Sequence, residues 1–134
     1  MTLVVDASVA VLWTLTQRNS DKAAALQTED SIIAPSLIVV EVGNAIWKAA
    51  VRRGDLPKRE ARTAIEIALG PITALAPMEE LHTRALELAV ELGHTVYDCF
   101  YLALAERERV PFVCADGPLI NKAKKLRGIE VRAL

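Results

Sequence analysis

Apolar positions along the chain follow two periods. Short unbroken runs alternate with longer stretches in which apolar residues recur every three or four positions. Thr2 to Val5 is β-favouring throughout, as in a strand buried on both faces. Ala7 to Thr16 then reads as a helix, with Ser8 as a possible cap, and Asp21 to Gln27 as a shorter one. Ser31 to Ala34 is the second strand. Pro35-Ser36 punctuates it, and Leu37 to Arg53 reads as a long helix stopped by Gly54. That helix is apolar nearly all round, except for Glu41, Asn44 and Lys48, which fall at i, i+3 and i+7 and share a face. Pro57 opens a helix running to about Leu69, and Gly70-Pro71 ends it.

Ile72 to Leu75 is the third strand. Glu79 to Leu92 is amphipathic, with Leu81, Ala85, Leu88, Ala89 and Leu92 on one face, and Gly93 closes it. Val96 to Arg109 is the next helix, and Thr95 to Asp98 has the form of a capping box with Asp in place of Glu. Pro111 to Ala115 is the fourth strand. Asp116-Gly117-Pro118 turns into a basic helix, Leu119 to Leu126, and Ile129 to Val131 is a fifth strand at an edge. Strands alternating with helices predict an α/β fold. The expectation is a three-layer α/β/α sandwich with helices on both faces of a mainly parallel sheet of four or five strands.

The 134 residues suit one domain, and 52% hydrophobic content supplies a core that must be aliphatic, because aromatics are only 4%. The formal net charge of -1 gives no global basic field, so a polyanion would have to be met by a local patch or through metal ions. Cys99 and Cys114 lie in apolar stretches without a CxxC and read as buried thiols of a reducing compartment. No secretory leader stands at the start, and no apolar run approaches the roughly 18 residues of a membrane span. A cytoplasmic location and no membrane contact are expected.

The sheet geometry bears on four acids. In a parallel sheet, ligands bind beyond the carboxyl ends of the strands. Asp6 ends strand one and Asp116 ends strand four, so both lie at that edge. The crossover helices start there too, which brings Asp98, in the first turn of its helix, and Glu41, one to two turns into its own. Four carboxylates at one edge repel one another, and a divalent cation relieves them. Oxygen-only ligation suits Mg²⁺ or Mn²⁺ rather than zinc, with some of the acids orienting waters instead of touching the metal. Each acid taken alone also reads as a helix cap or a solvated face.

These residues resemble a known family. Val4-Val5-Asp6-Ala7-Ser8-Val9 is similar to the first motif of PIN-domain ribonucleases. Glu41-Val42-Gly43-Asn44-Ala45 is similar to the second, and Tyr97-Asp98-Cys99-Phe100-Tyr101-Leu102 to the third. Val113-Cys114-Ala115-Asp116 followed by Leu119 is similar to the fourth, and the compact length resembles the VapC toxins of toxin–antitoxin pairs. The resemblance implies a Mg²⁺-dependent endoribonuclease, with Mn²⁺ as a substitute, that hydrolyses RNA and leaves a 5′-phosphate. Asp6, Glu41, Asp98 and Asp116 would form its catalytic and metal-binding quartet, with Asp6 and Asp98 as the direct ligands. Ser8 and Asn44 would support them by hydrogen bonds. Two departures stand out. Cys114 occupies a position where the family commonly has Thr or Ser, and Gly117-Pro118 follows the fourth acid where some members carry a further one.

The resemblance further implies a small antitoxin partner and a homodimer. Val11, Trp13 and Leu15 of the first helix are the candidate antitoxin contacts. For RNA contact the basic candidates are Arg52 and Arg53, then Lys58, Arg59 and Arg62, and above all Lys122, Lys124, Lys125 and Arg127, which follow Asp116. His82 and His94 read as surface or loop residues. Within the enzyme class the alternative is a housekeeping RNA-processing nuclease. Outside it stands a non-catalytic PIN module that binds RNA or protein. A phospho-receiver is disfavoured, because Leu75-Ala76-Pro77 ends strand three without an acid.

Overall fold

The computed structural model describes residues 1–134. Five strands form one sheet: β1 (Thr2–Val5), β2 (Ser31–Pro35), β3 (Ala74–Ala76), β4 (Phe112–Cys114) and β5 (Val131–Ala133). Their order is β3-β2-β1-β4-β5, and every pairing is parallel. The chain moves outward from β1 to β2 and β3, then returns past β1 to β4 and β5. Right-handed crossovers therefore place the helices between β1 and β3 on one face and those after β3 on the other. This is the expected three-layer α/β/α sandwich.

The first face carries α1 (Ala7–Ala10), α2 (Ser20–Leu26), α3 (Leu37–Trp47) and α4 (Ala61–Leu69). The second carries α5 (His82–Leu92), α6 (Val96–Glu108) and α7 (Gly117–Ala123). Helix α6 packs across β1, β2 and β4, and buries Cys99, Tyr101, Leu102, Ala103, Leu104 and Ala105. Each large apolar side chain buried in this way contributes about 1.5–3 kcal/mol, so the backbone that carries Asp98 is set by the core. The rings of Tyr101 and Phe112 stack with centroids 5.8 Å apart. No helix is long and apolar enough to cross a membrane.

Local departures from expectation have identifiable causes. The first helix is one α-turn followed by a tighter turn, Val11–Trp13, and stops well before Thr16. Its cap is Asp6, whose carboxylate accepts from Val9 N, and not Ser8. The long third helix reaches Arg52, but its last stretch, Lys48–Arg52, widens into a π-turn that buries Ala49 and Ala50. Thr95 makes no side-chain capping bond, and the Asp98 carboxylate turns to His94 rather than back to the Thr95 backbone. The basic helix starts at Gly117, with Pro118 in its first turn and Asp116 as its cap, rather than at Leu119. β3 and β5 both sit two residues later than the apolar runs suggest. They are edge strands, where the register follows the one neighbour available: Ala74 opposite Ile33, and Val131 opposite Phe112.

Candidate active site

β1 and β4 are neighbours, yet their onward connections leave in opposite directions, to β2 and to β5. That divergence opens a crevice beyond their carboxyl ends. Asp6 leaves β1 into it and Asp116 leaves β4 into it. Ser8 joins the two strand ends. Its hydroxyl donates to Asp6 Oδ1 at 2.5 Å and accepts from the Ala115 backbone N–H at 3.2 Å. Ser8 thus has a supporting hydrogen-bonding role, and it fixes the Asp6 carboxylate against the loop that carries Asp116.

Asp6 is the buried charged residue of the fold, only 5% exposed. No Lys or Arg pairs with it, with Glu41 or with Asp116. Burial pushes its carboxyl up to about 7, against the hydrogen bonds from Ser8 and Val9, and the charges of Asp98 and Glu41 push the same way. Glu41, on α3, is also raised, first by burial and then by Asp98, while a hydrogen bond from Tyr101 opposes the rise. Three of the four acids therefore act on one another electrostatically. Asp116 joins the same field: it acts with Asp6 and Asp98 on the Cys114 thiol, which burial first of all pushes up to about 12.

Each acid has one fixed oxygen. Asp116 Oδ1 accepts from Leu119 N at 3.1 Å, and Glu41 Oε1 accepts from the Tyr101 hydroxyl at 2.6 Å. Asp98 Oδ2 meets His94 Nε2 at 2.5 Å. One further oxygen on each of these three acids carries no protein hydrogen bond. Asn44, expected to support Glu41, is exposed on the groove wall beside it, and the bond on Glu41 comes from Tyr101 instead. Tyr101 stands in the third motif, but its partner is 60 residues away, and only the folded packing brings them together. Cys114 Sγ lies 4.0 Å from the backbone oxygen of Asp116, not from its carboxylate. Both cysteines are free and buried, and burial holds Cys99 up at about 11, so neither offers a thiolate.

No group of three or more His, Cys, Asp or Glu side chains encloses a point where a metal ion could sit. The donor set still suits a hard cation held by one or two carboxylates and completed by water, the usual arrangement for Mg²⁺. An uncompensated carboxylate at 5% exposure, within the field of two others, is where added positive charge is worth most.

A cavity of about 500 Å³ runs from Glu41 and Asn44 past Ala7 and Val11 to Gln17, Lys48 and Arg53. Arg53 pairs with Asp55, whereas Lys48 is exposed and forms no ion pair. Lys122, a leading candidate for phosphate contact, meets Gly93 O and His94 Nδ1. His94 lies in the loop between α5 and α6, as its surroundings in the sequence suggest, but its ring is largely covered and bonded on both sides. Of the candidate antitoxin contacts on the first helix, only Leu15 is fully covered, and the other two are half-buried. Val11 and Trp13 pack against the core, and Trp13 donates its indole N–H to Ala23 O at 2.8 Å.

The PIN-domain family model matches residues 3–125, which span all four acids. The chain belongs to the PIN-domain family. Ribonuclease VapC3 of Pyrobaculum aerophilum is 35% identical to it over 125 residues, 91% of this chain and 95% of that protein. Exonuclease VapC9 of the same organism is 33% identical over 96 residues, 70% of this chain and 68% of that one. Among solved structures, PAE2754 from Pyrobaculum aerophilum superposes with a TM-score of 0.71 at 25% identity, covering 98% of this chain and 89% of the other. Both chains share the parallel sheet that sets Asp6 and Asp116 at the ends of β1 and β4 in this protein.

Proposed function

We propose that this PIN-domain chain is a divalent-metal-dependent endoribonuclease and the toxin of a toxin–antitoxin pair. The observation that carries the reading is Asp6: a buried, unpaired carboxylate at the strand switch point, inside the field of Glu41 and Asp98. The VapC ribonuclease relatives support the nuclease class. Asp6 and Asp98 would hold Mg²⁺, or Mn²⁺ in its place, with Glu41 and Asp116 alongside them. When bound, the ion lowers the pKa of its water and offsets charge on the scissile phosphate.

The protein's own groups do the rest. Glu41 keeps Oε2 free and has a raised proton affinity, so it suits the base that orients and deprotonates the attacking water. Asp116, with Oδ1 committed to its helix, offers Oδ2 for a second hydrogen bond to that water. In-line attack on phosphorus breaks the bond to the 3′-oxygen. The product then carries a 5′-phosphate on one fragment and a 3′-hydroxyl on the other. The RNA strand would follow the cavity from Glu41 toward Lys48, whose free ammonium suits a neighbouring phosphate.

The test is cleavage of a circular single-stranded RNA with Mg²⁺ and with EDTA. Linearisation that needs Mg²⁺ and leaves a 5′-phosphate is expected. Activity on linear RNA alone would replace the endonuclease by an exonuclease, and full activity in EDTA would remove the metal. Tyr101→Phe should also be informative. Without the hydroxyl, Glu41 loses the bond that holds its pKa down, so its carboxylate forms only at higher pH. The acid limb of the rate profile should move to higher pH, with roughly 1–2 kcal/mol of stability lost with the bond. An unmoved limb would remove Glu41 as the base.

The antitoxin would lie in a second groove, about 400 Å³, between α3 and α4. Gly43, Ile46, Trp47, Ala50, Val51 and Ile65 form its apolar wall, while Lys58 and Arg62 stand at its rim. A homodimer would cover Leu86 and Val90, exposed one turn apart on α5. Light scattering coupled to gel filtration checks this, with a Leu86→Glu, Val90→Glu double variant expected to run as a monomer.

A further inference from the structure

His94 sits between α5 and α6, directly after Gly93, whose φ of 62° lets the chain turn sharply there. Its side chain is only 13% exposed, and both ring nitrogens have partners. Nε2 meets Asp98 Oδ2 at 2.5 Å, and Nδ1 meets the Lys122 ammonium at 3.2 Å. The same ammonium donates to Gly93 O at 3.3 Å. An ammonium has donors and no acceptor, so Nδ1 must accept from it. The ring proton is then on Nε2, where it donates to Asp98. Lys122 therefore selects the histidine tautomer, and the histidine holds one oxygen of Asp98.

This matters for how Asp98 can meet a cation. Oδ2 is taken on one side, and Oδ1 makes no hydrogen bond within the protein. Chelation of an ion by both oxygens has to compete with the His94 bond. Ca²⁺ commonly uses two-oxygen carboxylate ligation in a flexible shell, whereas Mg²⁺ takes single oxygens in strict octahedral geometry. Lys122 also rides on α7, the helix capped by Asp116, so the same contact ties the segments carrying the third and fourth acids.

We propose that Lys122 and His94 are positioning residues that present Asp98 through Oδ1 alone, and so set the site for Mg²⁺ or Mn²⁺ over Ca²⁺. This rests on the metal reading of the acids given above. It concerns neither the proton chemistry of the water nor contact with RNA. Hydrogen-bonding partners behind a metal ligand typically govern about 10–100-fold in affinity.

Two measurements on the full chain without RNA test it. The first is the ¹⁵N shift pattern of the His94 ring. The Nε2–H form is expected in the unaltered protein, and a mixture of tautomers in Lys122→Met. An Nδ1–H ring in the unaltered protein would overturn the proposal. The second is calorimetric titration with Mg²⁺ and with Ca²⁺. In His94→Ala, Mg²⁺ affinity should fall about 10–100-fold while Ca²⁺ affinity holds or rises. His94→Gln, whose amide N–H can reach the same carboxylate oxygen, should recover much of the Mg²⁺ preference. An unchanged Mg²⁺/Ca²⁺ ratio in His94→Ala would refute the positioning role and leave the metal reading standing. No divalent binding by the unaltered protein would remove that reading and this proposal together.

Discussion

Asp6→Asn is expected to abolish RNA cleavage and, in the absence of metal, to make the protein more stable. Both effects come from one feature, the ionised carboxylate in the core. Burial, with the Asp98 and Glu41 charges behind it, raises the Asp6 carboxyl from 3.8 to about 7. The sign follows from linkage. Between about pH 4 and 7 the folded chain holds a proton that the unfolded chain releases. The favourable contribution is therefore full below about pH 4 and is lost as pH rises through about 7. Its upper bound is about 4 kcal/mol, from some three pKa units at about 1.4 kcal/mol each.

Asparagine keeps the oxygen that accepts from Ser8 and Val9, and it removes the charge. Its amide must then find acceptors among the neighbouring acids, which lowers the gain to about 1–3 kcal/mol, or roughly 3–10 °C in Tm for a domain of this size. Thermal melts in EDTA across pH 5 to 8 check this. The unaltered protein should lose stability as pH rises, and the variant should lose much less. Mg²⁺ should restore the unaltered protein near pH 8 and leave the variant unmoved. Equal stabilisation of both by Mg²⁺ would show that Asp6 does not hold the ion. A variant less stable than its parent at pH 8 in EDTA would show that the buried charge is not the liability described.

That the four acids share an edge was readable from the chain, because parallel topology alone demands it; their closeness follows from β1 and β4 being neighbours. Residues that end β1 and β4, or begin α3 and α6, share an edge in any strand order. What holds each acid was not readable in the same way. Tyr101 reaches Glu41 across 60 positions and Lys122 reaches His94 across 28, and no local periodicity encodes either contact. His94 precedes Asp98 by four residues. It stands one residue before the Thr95 cap, outside the helix, where an i, i+4 spacing does not by itself bring two side chains together. The fate of Trp13 has a different origin. An apolar stripe on a short first helix reads equally as core or as docking face, and only the position of α2, which offers Ala23 O to the indole, decides for the core.

Trp47, by contrast, is half exposed, and on the proposed toxin reading Trp47→Ala is expected to release the chain from its antitoxin without impairing cleavage. Val40, Trp47 and Val51 are 65%, 49% and 49% exposed along one side of α3 and its π-turn, and Trp47 and Val51 line the groove against α4. Glu41, Asn44 and Lys48 occupy the adjoining face of the same helix. An amphipathic helix laid in the groove would thus reach the rim of the acidic crevice, close enough for a basic side chain to neutralise it. Lys58 and Arg62 at the rim favour acidic flanks on that helix. A tryptophan at the centre of an apolar groove is the usual anchor of such an interface, and its truncation costs about 2 kcal/mol or more, roughly 30-fold or more in Kd. Trp47 touches none of the four acids, so cleavage of free RNA should stay within about two-fold of the unaltered protein, a change of under 1 kcal/mol in the barrier. If the chain is the toxin of a pair, the variant should arrest growth in cells despite co-expression of a cognate antitoxin that protects against the unaltered chain. Continued protection, with unchanged affinity by calorimetry, would move the antitoxin to another face of the molecule.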